Sequence, residues 1–217
     1  MSAEKKLFLL DAYALIFRSY YAFIKNPRIT SYGLNTNAIF GFTTTLLEVL
    51  EKYDPTHIAV CFDHKSENVR KQEYPLYKAN RDETPEDIKR SEPFIRQIID
   101  AFNIPILEKE GYEADDVIVT LATRAEKEGY TTYMMTPDKD YAQLVSDNIF
   151  MYRPGNGGKP AEIWGIPEVC AKFDVQRPDQ IIDLLGLMGD SADNIPGVPG
   201  IGPKSAAKLL KDFDTAE

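Results

Sequence analysis

The chain has 217 residues, 43% hydrophobic and 27% charged, which suits one soluble globular domain or a core with a small appended one. Its formal net charge of −9 argues on its face against a nucleic-acid partner, and no apolar run approaches the ~20 residues needed to span a bilayer. The first six residues lead straight into a short apolar strand, without the long apolar region and small-residue cleavage site of a signal peptide. A cytoplasmic protein without membrane contact is therefore expected. Cys61 and Cys170 lack metal-type spacing, and Cys61 reads as a buried free thiol in an apolar strand.

In chain order, Leu7 to Leu10 is an apolar strand ending at Asp11, followed by a helix through Tyr21. Residues 37–53 carry apolar side chains at helical spacing, and His57 to Phe62 reads as a buried strand that Asp63 ends. Residues 64–90 are polar, with no core period. Thr84-Pro85-Glu86-Asp87 carries the signals of a helix start, and Pro93 implies a kink or a second start before Phe94 to Phe102. A strand follows over Ile104 to Leu107. Glu113 opens an amphipathic helix with Val117, Ile118, Leu121, Ala122 and Ala125 on one side and Gly129 as its stop. Thr131 to Met135 is a strand, Thr136-Pro137-Asp138 starts another helix, and Ile149 to Tyr152 is a strand before a Gly-rich turn at 155–158. From about Pro167 the chain reads as helices with loops. Alternation of strand and helix predicts an α/β fold with a mainly parallel central sheet covered by helices.

Nine acids stand in five clusters: Asp11; Asp63; Glu113, Asp115 and Asp116; Asp138 and Asp140; Asp190 and Asp193. Parallel sheets bind ligands beyond the carboxyl ends of their strands, and Asp11, Asp63 and Asp138 fall there. Acids in a first helical turn can be simple capping, which accounts for residues 113–116 and 138–140 taken alone. Asp11 and Asp63 directly end strands, and Asp190 and Asp193 follow a helix end, where capping explains little. Gathered carboxylates repel one another unless cations sit among them, and hard divalent ions prefer such oxygen ligands. The pattern therefore points to a two-metal phosphoryl-transfer site. Magnesium suits it; zinc would ask for His or Cys, and only His57 and His64 are available. The chain has 34 acids against 25 bases, so the nine clustered acids equal the excess, and overall charge is a poor guide to partners.

Two segments speak to the substrate. Arg70 to Arg81 holds four bases, one acid and two tyrosines, able to grip phosphates and stack on unpaired bases, or simply to form a solvated face. Gly197-Val-Pro-Gly200-Ile-Gly202-Pro-Lys204, with Lys208 beyond, has the pattern of a helix-hairpin-helix clamp on a DNA backbone. A P-loop, a dinucleotide fingerprint and a Ser-His-Asp arrangement are all missing. A haloacid-dehalogenase-type phosphatase would need a second Asp two residues after Asp11, where Tyr13 stands. A non-catalytic DNA-binding module would have no use for the acids, and an RNA-cleaving relative would lack the clamp.

Tyr77-Lys-Ala-Asn-Arg81, Tyr112-Glu-Ala-Asp-Asp116, Thr136-Pro-Asp-Lys-Asp140 and the run from Gly189 to Lys204 resemble the 5′-nuclease domain of bacterial DNA polymerase I, in the flap-endonuclease superfamily. The match runs in order over nearly the whole chain. The resemblance implies a PIN-like catalytic core over 1–165 with a helical arch at about 64–95, and a helix-hairpin-helix region over 166–217 that stops early. It implies a 5′-3′ exonuclease and flap endonuclease that cuts DNA and RNA primers and leaves a 5′-phosphate and a 3′-hydroxyl. Asp11, Asp63, Glu113 and Asp115 would hold one Mg2+, and Asp138, Asp140 and Asp193 a second, with Asp116 and Asp190 acting directly or through water. Mn2+ could substitute, and K+ could sit at the hairpin. Lys78, Arg81 and Arg70 would stabilise the scissile phosphate, Tyr77 would stack on a base, and Arg18 would lie near the phosphate. Gly200, Gly202, Lys204 and Lys208 would hold the DNA backbone. The expected partner is DNA with a 5′ flap, nick or primer junction, bound by a monomer whose polymerase domains belong to the same full-length chain.

Overall fold

The computed structural model describes residues 4–155 and 160–216. Strand β1 (Lys6–Asp11) runs into α1 (Ala12–Ala22), and α2 (Asn37–Tyr53) precedes β2 (His57–Cys61). Then come the short α3 (Val69–Glu73), α4 (Glu86–Ala101), β3 (Ile106–Leu107), α5 (Ala114–Lys127) and β4 (Thr131–Met135). A 3-10 helix (Lys139–Leu144) leads to β5 (Ile149–Arg153), β6 (Glu162–Trp164), α6 (Ile166–Phe173) and α7 (Gln180–Met188). The two-residue strands β7 (Gly189–Asp190) and β8 (Ile195–Pro196) form a hairpin before α8 (Pro203–Phe213).

Six strands form the central sheet in the order β3-β2-β1-β4-β5-β6, parallel except for β6, which pairs antiparallel with β5. Side chains alternate across a strand, so β1 feeds both faces. Phe8 and Leu10 pack with Ile16, Phe42, Leu46 and Ile95 of α1, α2 and α4. Leu9 packs on the other face with Ile118 of α5, Leu184 of α7 and Leu210 of α8. Both faces are buried, which is why the strands read as continuous apolar runs. The C-terminal helices share the core of that second face, which anchors the β7–β8 hairpin beside the sheet's carboxyl edge. No helix among the described residues is long and apolar enough to cross a membrane.

Three local expectations are corrected. Helix α4 passes through Pro93 without a second start, and the bond lost to proline falls on the carbonyl of exposed Lys89. Its N-cap is Pro85 rather than Thr84. Ile88 and Ile95 are fully buried, so residues 86–95 pack against the core. The helix expected after Pro137 is 3-10, with Asp138 as N-cap and its carboxylate accepting the Asp140 N–H. The Gly-rich turn expected at 155–158 lies, beyond Gly155, outside the described residues.

Candidate metal centre and nucleic-acid interface

Every parallel strand from β1 to β4 delivers an acid to one edge. Asp11 is both the last residue of β1 and the N-cap of α1, accepting the Ala14 N–H at 3.1 Å. Its other oxygen accepts the Thr136 hydroxyl at 3.2 Å and the Tyr141 hydroxyl at 3.4 Å, which ties it to the end of β4. Asp63, two residues past β2, accepts the Ala114 N–H of α5 at 2.7 Å. Glu113 caps α5, and its own N–H is held by Asp116 at 3.0 Å. Helix N-termini thus orient three of these carboxylates, because unpaired N–H groups and the positive dipole end favour anions there.

The last pair of acids is set by a tight backbone crossing. Gly189 ends α7 at φ +75°, and a Cβ there would stand 2.3 Å from the Gly197 nitrogen. Only glycine allows the two legs of the β7–β8 hairpin to approach this closely, which turns Asp190 and Asp193 toward the 3-10 helix. One carboxylate oxygen from each of Asp140, Asp190 and Asp193 lies within 4.8 Å of the others. Asp11, Asp63, Glu113, Asp115 and Asp138 line an adjoining cleft of about 720 Å³. Asp190 thus lies directly beside Asp140 and Asp193, one of the two arrangements the resemblance allows for it, and Asp138 lines the cleft with Asp11.

The charges are costly to hold. Burial pushes Asp11 up to about 6, with Asp63 and Asp138 adding to the shift against the Ala14 N–H and Thr136 hydroxyl. Burial likewise raises Asp115 to about 7, opposed by Arg70 and reinforced by Glu113. Asp63 and Asp140 are also raised, first by burial. Asp190 runs the other way. Burial acts upward on it, but Lys139 and the Ala192 N–H together hold it below its ordinary value.

The segment expected to form the arch supplies three cations to these acids. Arg70 grips Asp116 through two bonds of 2.7 and 2.6 Å and reaches Glu113 at 3.4 Å and Asp115 at 3.8 Å. Lys78 bonds both oxygens of Glu113 at 2.8 Å and stands 3.9 Å from Asp193, and Arg81 bonds Asp193 at 2.6 Å. Tyr77 is 6% exposed, its hydroxyl donating to Glu113 at 2.8 Å and Asp193 at 3.1 Å, so stacking on a base requires it to swing outward. Arg18 does not join the acids; it donates to the carbonyls of Pro154 (3.2 Å) and Gly155 and lines a separate cleft with Pro137 and Arg153. Gly200 adopts φ +83° and Gly202 caps α8, leaving Lys204 and Lys208 exposed and, among the described residues, in no ion pair.

Sequence reasoning missed Lys139, which bridges Asp140 at 3.2 Å and Asp190 at 2.5 Å. Its place between the two acids of Asp138-Lys-Asp140 was the available signal. Thr136 and Tyr141, the partners of Asp11, also went unnoticed. The donor set fits a hard divalent ion: oxygen only, three carboxylates converging, and buried acids whose raised values signal uncompensated charge.

A mainly parallel sheet with acids along its carboxyl edge and basic side chains from residues 70–81 beside them is an α/β arrangement suited to handling phosphate groups. The chain belongs to the 5′-3′ exonuclease family: it matches the N-terminal resolvase-like domain over residues 6–174 and the C-terminal SAM fold over 176–217. It is 42% identical to DNA polymerase I of Bacillus subtilis (strain 168) over 219 residues, covering all of this chain and 24% of that protein. It is 43% identical to DNA polymerase I of Rhizobium leguminosarum over 220 residues, covering 98% and 21%. The chain thus spans about a quarter of the length of the curated relatives it matches. Among solved structures, the T5 D15 protein co-crystallised with metal ions superposes with a TM-score of 0.72 at 24% identity, covering 98% of this chain and 76% of that one. A T5 D15 flap endonuclease variant in a pseudo-enzyme-product complex with DNA and metal ions gives 0.74 at 24% identity, with 98% and 76% coverage. The fold is therefore that of the 5′ nucleases.

Proposed function

We propose that this chain hydrolyses phosphodiester bonds near the 5′ ends of DNA strands and of RNA primers, at flaps, nicks and primer junctions, leaving a 5′-phosphate. The observation that carries this reading is the convergence of Asp140, Asp190 and Asp193 beside the cleft of Asp11, Asp63, Glu113 and Asp115, under Lys78 and Arg81. Two magnesium ions, replaceable by manganese, would be held by these two groups of acids. When bound, such ions activate water and offset charge on a phosphate. The chain's own residues do the rest. The carboxylates bind and orient, anchored by helix N-termini and by Thr136 and Tyr141. Lys78 and Arg81 exchange their present partners, Glu113 and Asp193, for the oxygens of the scissile phosphate, where fixed cations stabilise charge as it develops.

We read residues 1–165 as the catalytic core and 166–217 as the region that grips duplex DNA through Gly200, Gly202, Lys204 and Lys208 at the start of α8. The family match, and the DNA bound by the T5 relative of the same fold, support this division of labour. The relatives are DNA polymerases I of which this chain spans about a quarter, and polymerase domains in the same full-length chain are proposed here. The test is the double variant Asp138→Asn, Asp140→Asn, assayed on a 5′-flap duplex at saturating magnesium. Cleavage is expected to disappear while DNA affinity in calcium stays within a few-fold of wild type. Near-normal turnover would sink the metal assignment.

A further inference from the structure

The arch does more than hang over the acids; it is fastened to the hairpin that carries two of them. The Lys78 N–H donates to the Asp193 carbonyl at 3.0 Å. The Asn194 side-chain amide donates to the Leu76 carbonyl at 2.8 Å, and the Asn80 side-chain amide to the Ser191 carbonyl at 2.8 Å. Arg81 Nε reaches the Ala192 carbonyl at 3.3 Å, and the Tyr74 hydroxyl the Asn194 carbonyl at 3.3 Å. Residues 74–81 are thus stitched, largely through main-chain acceptors, to each residue of the run from Ser191 to Asn194.

Two backbone positions reinforce the seam. Lys78 and Asn194 both occupy left-handed conformations, at φ +55° and +58°. Such a conformation is uncommon for a lysine and persists only where surrounding bonds dictate it. Here the Lys78 N–H is held by Asp193 and its ammonium by Glu113, so the kink that aims Lys78 into the cleft depends on the seam. Asparagine tolerates the left-handed region well, which leaves the Asn194 side chain free to act as a donor.

We propose that Asn80 and Asn194 are positioning residues: they latch the arch to the Asp190–Asp193 hairpin before DNA arrives, and so fix where Lys78 and Arg81 meet the scissile phosphate. Arch position and the carboxylates of the hairpin are then one mechanical unit, and a shift in either moves the other. The latch itself is independent of the reaction; its catalytic consequence rests on the nuclease reading above.

The test uses the 217-residue chain with Asn80→Ala, Asn194→Gly and the pair; glycine keeps the left-handed backbone of residue 194 while removing its amide. Amide hydrogen exchange is followed in the protein without DNA or metal. Each lost bond is expected to speed exchange at residues 74–81 about threefold, and the pair about tenfold, with β1, β2 and β4 unchanged. Single-turnover cleavage of a flap duplex by the pair should fall about tenfold, with DNA affinity within twofold of wild type; a merely structural role would not separate rate from affinity in this way. Unchanged exchange across the arch overturns the latch. Faster exchange with an undiminished cleavage rate overturns its positioning role. If wild type itself cuts no DNA, the nuclease reading fails and exchange alone decides the latch.

Discussion

Asp11 carries its charge at a cost that can be measured without any substrate. Its carboxyl is raised from 3.8 to about 6, chiefly by burial. A folded value above the unfolded one means that the folded state binds more protons, so stability falls as pH rises from about 4 through about 6 and stays reduced above that. The shift of about two units corresponds to about 3 kcal/mol at pH 7.5, but only about 1 kcal/mol at pH 4.5, where the folded carboxyl is mostly protonated. Asp11→Asn keeps the shape and the capping acceptor for Ala14 while removing the charge. In urea unfolding with EDTA present, the variant should be the more stable protein, by about 3 kcal/mol at pH 7.5 and about 1 kcal/mol at pH 4.5. Magnesium should narrow or reverse the gap, because an ion that binds only the folded wild type stabilises it by mass action. A gap that does not change with pH, or a variant less stable than wild type at pH 7.5, would refute the view that burial strains this acid.

Lys78→Ala is expected to lower the single-turnover rate by about 10²–10³ while DNA affinity changes little, since a fixed cation on developing charge acts mainly in the transition state. An effect on affinity alone would demote Lys78 to a phosphate-positioning contact. Gly189→Ala should destabilise the protein by at least about 2 kcal/mol in urea unfolding, because the added Cβ meets backbone rather than a movable side chain and the φ of +75° disfavours alanine. A stability unchanged within error would contradict the crossing described at the hairpin.

The sheet was legible because both its faces are buried: Leu7 to Leu10, His57 to Phe62 and Thr131 to Met135 are strands much as their apolar runs suggested. The edge strand β6 escaped notice because its residues are mostly exposed, and it gains its order from pairing with β5 rather than from its own pattern. The nine acids stood out in the sequence by their places at strand and helix ends, but the close approach of Asp190 to Asp140 and Asp193 had no signal in their spacing. Asp190 reaches Asp140 and Asp193 only because Gly189 and Gly197 let two backbone legs touch, a tertiary fact with no periodic signature. Likewise the basic run 70–81 suggested phosphate contacts, but its seam with residues 191–194 rests on carbonyl acceptors, which any sequence possesses. Arg18, placed near the phosphate by the family resemblance alone, donates in this structure to the carbonyls of Pro154 and Gly155.

The central claim is that the acidic edge and the cationic arch together cut DNA at a 5′ junction. Incubating the chain with a 5′-labelled flap duplex, with and without magnesium, tests it directly. A short labelled product released near the junction, ending in a 3′-hydroxyl and formed only with the metal, is the predicted result. An intact flap bound by the protein in magnesium, or cleavage that persists in EDTA, would contradict the account.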